Sequence, residues 1–250
     1  MRINILNGDS LANTFPSAEI PGDIIVVREG LIAGDLSGDT LPEFWNARAK
    51  YICKSSDEYH KMVVAEFEKI INAPVNTEFN LWFEYDLFCQ VNMWFVLSLI
   101  NHLTANKKVF VVYTRFLDRN SKNFWNGFGP ATEEDIRFCF EHRTELNNAD
   151  LQLGTELWNA YKNNDFDNLR QLSVRQSPAF PYLLEVIDAH IDRFPNKVQK
   201  GRPERVIEEI VKNGSTDFNR VFHEFWKRES IYGFGDVQVK EIYDEVMNRE

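Results

Sequence analysis

Two unbroken apolar runs, Ile24-Ile25-Val26-Val27 and Val109-Phe110-Val111-Val112, set the tightest limit on what this chain can fold into. A strand with one wet face alternates polar and apolar residues, whereas a continuous β-branched run needs cover on both faces. That is the situation of a parallel sheet packed between helices. The runs fall in strands predicted over residues 23–27 and 108–114, and shorter apolar segments at 3–6 and 80–83 read as two more. Helical periodicity fills the intervals at 42–73 and 87–105. The first interval is broken near Lys54-Ser55-Ser56-Asp57, where a Ser or Asp suits a helix cap. Alternation of this kind predicts an α/β fold: a short, mostly parallel sheet flanked by helices in the N-terminal half.

Beyond Thr114 the texture changes. A polar and aromatic loop over 120–130 carries Gly127 and Gly129, and no further strand is expected. Thr132, followed by Glu133, Glu134 and Asp135, has the form of a capped helix start. Helical patterns follow at 146–162, 165–172 and 179–193, where Phe194-Pro195-Asn196 stops the last of them. Three more cover 203–213, 216–228 and 237–248, with Pro203 suited to a first helical turn. The expected organisation is an α/β domain over 1–130 and an all-helical half over 131–250. The latter divides into a helical linker region, 131–196, and a three-helix module, 197–250, of the helix-turn-helix type.

With 20 Phe and 6 Trp among 250 residues, the chain can build its core without disulfides. Cys53, Cys89 and Cys139 are odd in number, far apart and without zinc spacing, so they read as reduced thiols and suggest a cytoplasmic setting. Met1-Arg2-Ile3-Asn4 lacks the apolar core of a signal peptide. The most apolar stretch, 87–103, is interrupted by Gln90, Asn92, Asn101 and His102, which favours a buried helix and no membrane partner. The formal charge of −10 opposes non-specific binding to polyanions. It is uneven: 18 Lys/Arg face 27 Asp/Glu before Lys197, against ten and eleven from there on, so contact of 197–250 with DNA stays open.

The candidate chemistry follows the strands. Asn7-Gly8-Asp9-Ser10 comes directly after the first, where parallel sheets bind ligands and where Gly8 permits a tight turn into a helix N-terminus. No dinucleotide or P-loop pattern is present, and Asp9 or Ser10 could equally cap the helix holding Leu11 and Ala12. After the third strand, Glu84 and Asp86 are spaced to face one side. Such carboxylates suit acid–base work or a divalent ion, and they suit helix capping too. Gln90 lies at i, i+4 from Asp86. Arg28 and Glu29 follow the second strand and Arg115 the fourth, and Arg28 has the fork to hold a carboxylate or a phosphate. Arg48 shares a helix face with Trp45 and Tyr51, the pattern of a packed stripe with a snorkelling Arg. The five histidines are scattered without metal spacing, and Cys89 reads as a buried structural thiol.

Several stretches carry a family resemblance. Leu6-Asn7-Gly8-Asp9-Ser10-Leu11, Val27-Arg28-Glu29-Gly30, the segment Phe44 to Tyr51 and Leu81-Trp82-Phe83-Glu84-Tyr85-Asp86-Leu87-Phe88-Cys89-Gln90 resemble the uncharacterised bacterial family known as domain of unknown function 1835. The C-terminal part, with Phe180-Pro181-Tyr182-Leu183 and Arg202-Pro203-Glu204-Arg205, resembles domain of unknown function 3658. Two positions depart from the family pattern: Tyr85 stands where a His is common, and Cys89 where an Asp is common. The resemblance implies an architecture and no established activity.

Together these features lead to a small-molecule or nucleotide/phosphate-binding α/β protein. Asp9, Glu84 and Asp86 would be its polar centre, with Asn7, Gly8, Ser10, Arg28, Glu29, Arg48 and Gln90 around the ligand. If the chain is an enzyme, hydrolysis or transfer at a phosphorylated substrate, with Mg²⁺ as optional help, is the least strained class. The alternative is a regulatory or interaction protein that contacts DNA or protein through 197–250.

Overall fold

A computed structural model describes residues 1–52, 55–104, 106–114 and 127–249. Cys53, Lys54, Arg115 and the part of the expected polar loop at 120–126 lie outside these residues. Strand β1 (Arg2–Asn7) runs parallel to β2 (Asp23–Val27) on one side and to β3 (Thr77–Trp82) on the other. β4 (Lys107–Val112) continues the parallel set beyond β3, and β5 (Thr144–Glu145) closes that edge antiparallel. The order is therefore β2-β1-β3-β4-β5. Ile3, Asn4, Ile5 and Leu6 are all buried, so both faces of β1 are covered, as unbroken apolar strands require.

Register decides where the strands end. Asn7 is opposite Val27, Leu6 is opposite Trp82, and Trp82 is opposite Val112, so the carboxyl ends of these strands emerge along one rim. The outer strand β2 is closed to further pairing at one point by a side chain: the Val26 amide donates to Glu66 Oε2 at 3.2 Å. β3 and β4 lie slightly N-terminal to the expected 80–83 and 108–114. β5 was not expected at all, because two polar residues carry no periodicity.

The helices follow their local signals. Helix α1 (Asp9–Thr14) succeeds β1. Between β2 and β3 the chain forms α2 (Leu41–Ile52), a short α3 (Ser56–Tyr59), a π-helical turn His60–Val64 and α4 (Ala65–Ile71). Ser55 caps α3 by accepting from the Glu58 amide, at the expected break. α5 (Leu87–Asn101) is the apolar helix foreseen after β3. Thr132 and Asp135 form a reciprocal capping box at the start of α6 (Glu133–Glu141). No described helix is long and apolar enough to cross a membrane.

The compact unit built on the sheet does not end at residue 130. It comprises 1–85 and 89–181, and so takes in α6, α7 (Asn148–Lys162) and α8 (Phe166–Ser173). The reason is packing: β5 hydrogen-bonds to β4, and Trp158 of α7 meets Phe95 and Phe44 at ring distances of 4.8 and 5.8 Å. A second aromatic group joins Trp82 to Phe15, Phe128 and Phe140, with Leu6, Val112 and Cys139 beside them. The other unit comprises 86–88 and 182–250. It contains α9 (Leu183–Asp192), α10 (Arg202–Lys212), α11 (Phe218–Glu229) and α12 (Asp236–Met247), with Ile207, Ile210, Val221, Phe225 and Val239 buried. Pro203 sits in the first turn of α10, as expected.

Two consequences are measurable. Gly154 lets α7 approach α5, since a Cβ there would lie 2.8 Å from Leu97 Cβ. Gly154→Val should therefore lower stability by about 1–3 kcal/mol in a urea titration. In the second unit His190 is buried, and desolvation, helped by Arg193, pushes its pKa from 6.5 down to about 3. The native state holds this ring neutral while the unfolded chain protonates it. Its contribution is thus present above pH 6.5 and lost as pH falls from there toward 3. Thermal midpoints should fall between neutral pH and about pH 5, and His190→Leu should flatten that slope.

Candidate functional site

At the rim where β1, β2 and β3 end, side chains from separated stretches of chain join in one hydrogen-bonded network. Its deepest part is the ion pair of Glu29, two residues past β2, and Arg48 on α2. Arg48 Nη2 donates to Glu29 Oε2 at 2.8 Å, and both side chains are 0% exposed. The guanidinium also donates to the carbonyls of Ala33 (2.7 Å), Gly30 (3.1 Å) and Asp35 (3.3 Å). Tyr59 donates its hydroxyl to Glu29 Oε1 at 2.5 Å. Arg48 was expected to snorkel. Instead it is enclosed, because the buried Glu29 carboxylate and three backbone carbonyls match its fork better than water does. Tyr51 alone of that stripe is exposed, with its ring 5.1 Å from the Arg48 guanidinium carbon.

Asn92, on α5 and fully buried, carries the network outward. Its Oδ1 accepts from the Leu31 amide at 3.2 Å, which fixes its Nδ2 as donor to the Glu29 carbonyl (2.7 Å) and to Asn7 Oδ1 (2.9 Å). Asn7 thereby turns its own Nδ2 toward Cys89 Sγ, at 3.0 Å. Cys89 Sγ lies 3.9 Å from Glu84 Oε2, and Glu84 Oε1 accepts from the Phe128 amide at 2.6 Å. Gly127 is required beside it, since a Cβ there would fall 2.3 Å from Glu84 Oε1. Gln90, expected near Asp86, donates to the Glu84 carbonyl at 2.7 Å and so braces the loop that holds Glu84.

Asp9 and Arg28 form a separate, more exposed pair. Arg28 grips both carboxylate oxygens, with Nε at 3.0 Å from each and Nη2 2.8 Å from Oδ1, and its Nη1 reaches the Met62 carbonyl. The Asp9 hydrogen bond raises the pKa of the guanidinium, securing its charge. Asp9 and Ser10 do not cap α1. The cap position is Gly8, at φ 93°, and no side chain bonds the first turn. A side chain at Gly8 would meet nothing within 4 Å, so its backbone conformation and not crowding calls for glycine. Ser10 is exposed.

The structure thus brings Asn7, Glu29, Arg48, Glu84 and Gln90 into one network and sets Asp9 and Arg28 as a pair on the strand ends. Asp86 belongs to the second unit, where its Oδ1 would lie 2.1 Å from a Cβ on Gly233. Sequence reasoning missed Asn92 and Tyr59, and Cys89 is buried, as read. The signal for Asn92 was available: an amide inside an apolar helix needs buried partners.

No family model matches the chain, and no curated protein matches it.

Removing one partner of the enclosed ion pair leaves the other charge buried. Arg48→Met should cost about 3–5 kcal/mol in denaturant unfolding, and adding Glu29→Leu should recover part of the loss.

Proposed function

We propose that this chain binds a small polar molecule, of the nucleotide or phosphorylated-metabolite class, in the crevice beyond β1 and β3, and that Glu84 and Asp9 supply carboxylates for hydrolysis or group transfer there. The observation that carries this reading is the link Asn7–Cys89–Glu84, which spans the ends of β1 and β3. In a sheet of order 2-1-3-4, successive connections leave β1 in opposite directions. The gap between β1 and β3 is the switch point at which parallel sheets hold ligands.

A phosphate at this rim draws on Arg28 and not on Arg48, which is occupied by Glu29 and three backbone carbonyls. The Arg28–Asp9 pair is 28% and 55% exposed, and a surface pair of that kind holds by no more than about 1 kcal/mol, so an anionic ligand competes with Asp9 for the fork. The alternative reading, DNA contact through the C-terminal helices, gains nothing from their charges. Arg202 pairs with Glu229 at 2.9 Å, Arg228 with Glu209 at 3.2 Å and Lys227 with Glu224 at 3.5 Å, and Arg249 bonds Glu204. Such a field is locally neutralised, where a phosphate backbone needs a basic excess.

A thermal-shift panel of nucleotides and sugar phosphates, with and without Mg²⁺, tests the proposal. A ligand of this site present at a hundred times its Kd should stabilise the chain by about 2.7 kcal/mol. Glu84→Gln and Asp9→Asn should diminish that shift. Stabilisation by no member of the panel, or an undiminished shift in both variants, sinks the reading.

A further inference from the structure

We propose that Cys89 is the nucleophile of this crevice, with Glu84 as its base and Asn7 as the amide that holds the sulfur. The inference rests on the crevice reading above and deepens it from binding to thiol-based acyl transfer on an ester, thioester or amide. Three arrangements carry it. Asn7 Nδ2 donates to Sγ at 3.0 Å, a close approach that suits sulfur as the acceptor and increasingly so as it becomes an anion. Glu84 Oε2 lies 3.9 Å from the same sulfur, within reach of the thiol proton. Cys89 is the third residue of the 15-residue helix α5, and the first turn of a helix favours negative charge.

The sulfur's surroundings are set from behind. Asn92 cannot rotate its amide without losing the Leu31 amide, so Asn7 presents N–H and not oxygen to Sγ. Asn92 is accordingly a positioning residue. The contrast with Cys139 is informative. That thiol is enclosed in the apolar group of Trp82 and Ile136, and burial, with Asp135 adding to it, pushes its pKa up to about 12. Both thiols are buried, but Cys89 has an amide donor and a carboxylate beside it, whereas Cys139 lies among apolar side chains that keep it protonated.

The proposed step balances as follows. Glu84 takes the thiol proton, sulfur bonds to the acyl carbon, and the carbonyl π pair moves to oxygen. Collapse of that adduct expels the leaving group, which recovers the proton from Glu84. Water, activated by the same carboxylate, then cleaves the thioester and restores the thiol.

The test uses the whole chain and two small probes, iodoacetamide and p-nitrophenyl acetate, with modification read peptide by peptide in a mass spectrometer. Cys89 should be alkylated at least about tenfold faster than Cys139 and should carry the acetyl group. Glu84→Gln should slow modification of Cys89 about tenfold and leave Cys139 unchanged. Asn7→Leu, which removes the amide donor from the sulfur, should slow it as well and provides the second check if Glu84→Gln fails to fold. Equal rates at the two cysteines, or a Cys89 rate indifferent to both substitutions, overturns the proposal. Cys89→Ser separates the two claims, because a ligand that still stabilises this variant preserves the binding site while a failed labelling experiment removes only the thiol.

Discussion

An ionised carboxylate sealed from water after β2 is the constraint around which the rest of the rim is arranged. Glu29 and Arg48 are both without solvent contact, and two unit charges in such surroundings are tolerable only when each is matched closely. The match is supplied by elements that would otherwise have little reason to meet. Tyr59 comes from α3, Arg48 from α2, and the carbonyls of Gly30, Ala33 and Asp35 from the segment that follows β2 and wraps the guanidinium. Satisfying the charge therefore shapes that segment. It also holds the Glu29 carbonyl where Asn92 of α5 can use it.

From that point the network runs outward to the strand ends. Each member is oriented by the one behind it, from Asn92 to Asn7 to the Cys89 sulfur. A buried polar chain is strong only if every member is satisfied. Here the innermost groups are amides and ions with complementary partners, while the outermost, Glu84, is half-buried at the strand ends. The supporting charges are consumed at the base, and the titratable oxygens stand at the rim.

Much of the framework was legible in advance because it is local. The run Asp23–Val27 was read with its observed bounds, and the Thr132 cap and the break at Ser55 were recognised from residues within one helical turn. The site was legible only as a set of candidates. Asn7, Glu29, Arg48, Glu84 and Gln90 were named, yet Arg48 was read as a snorkelling side chain and Gln90 as a partner of Asp86. The two-residue strand β5 and the extension of the sheet unit to Pro181 were missed, for their causes are a pairing with β4 and the packing of Trp158 on Phe95 and Phe44.

What the chain alone determined is the alternation of strands and helices, since hydrophobic period and capping chemistry act between residues a few positions apart. What only the tertiary structure decided is which polar group meets which. Arg48 and Glu29 are 19 residues apart, Asn92 and the Glu29 carbonyl 63, and Asn92 and Asn7 85. Hydrogen bonds and ion pairs act over a few ångströms and carry no trace of themselves in linear order, so those partners became definite only once the strands had aligned their ends.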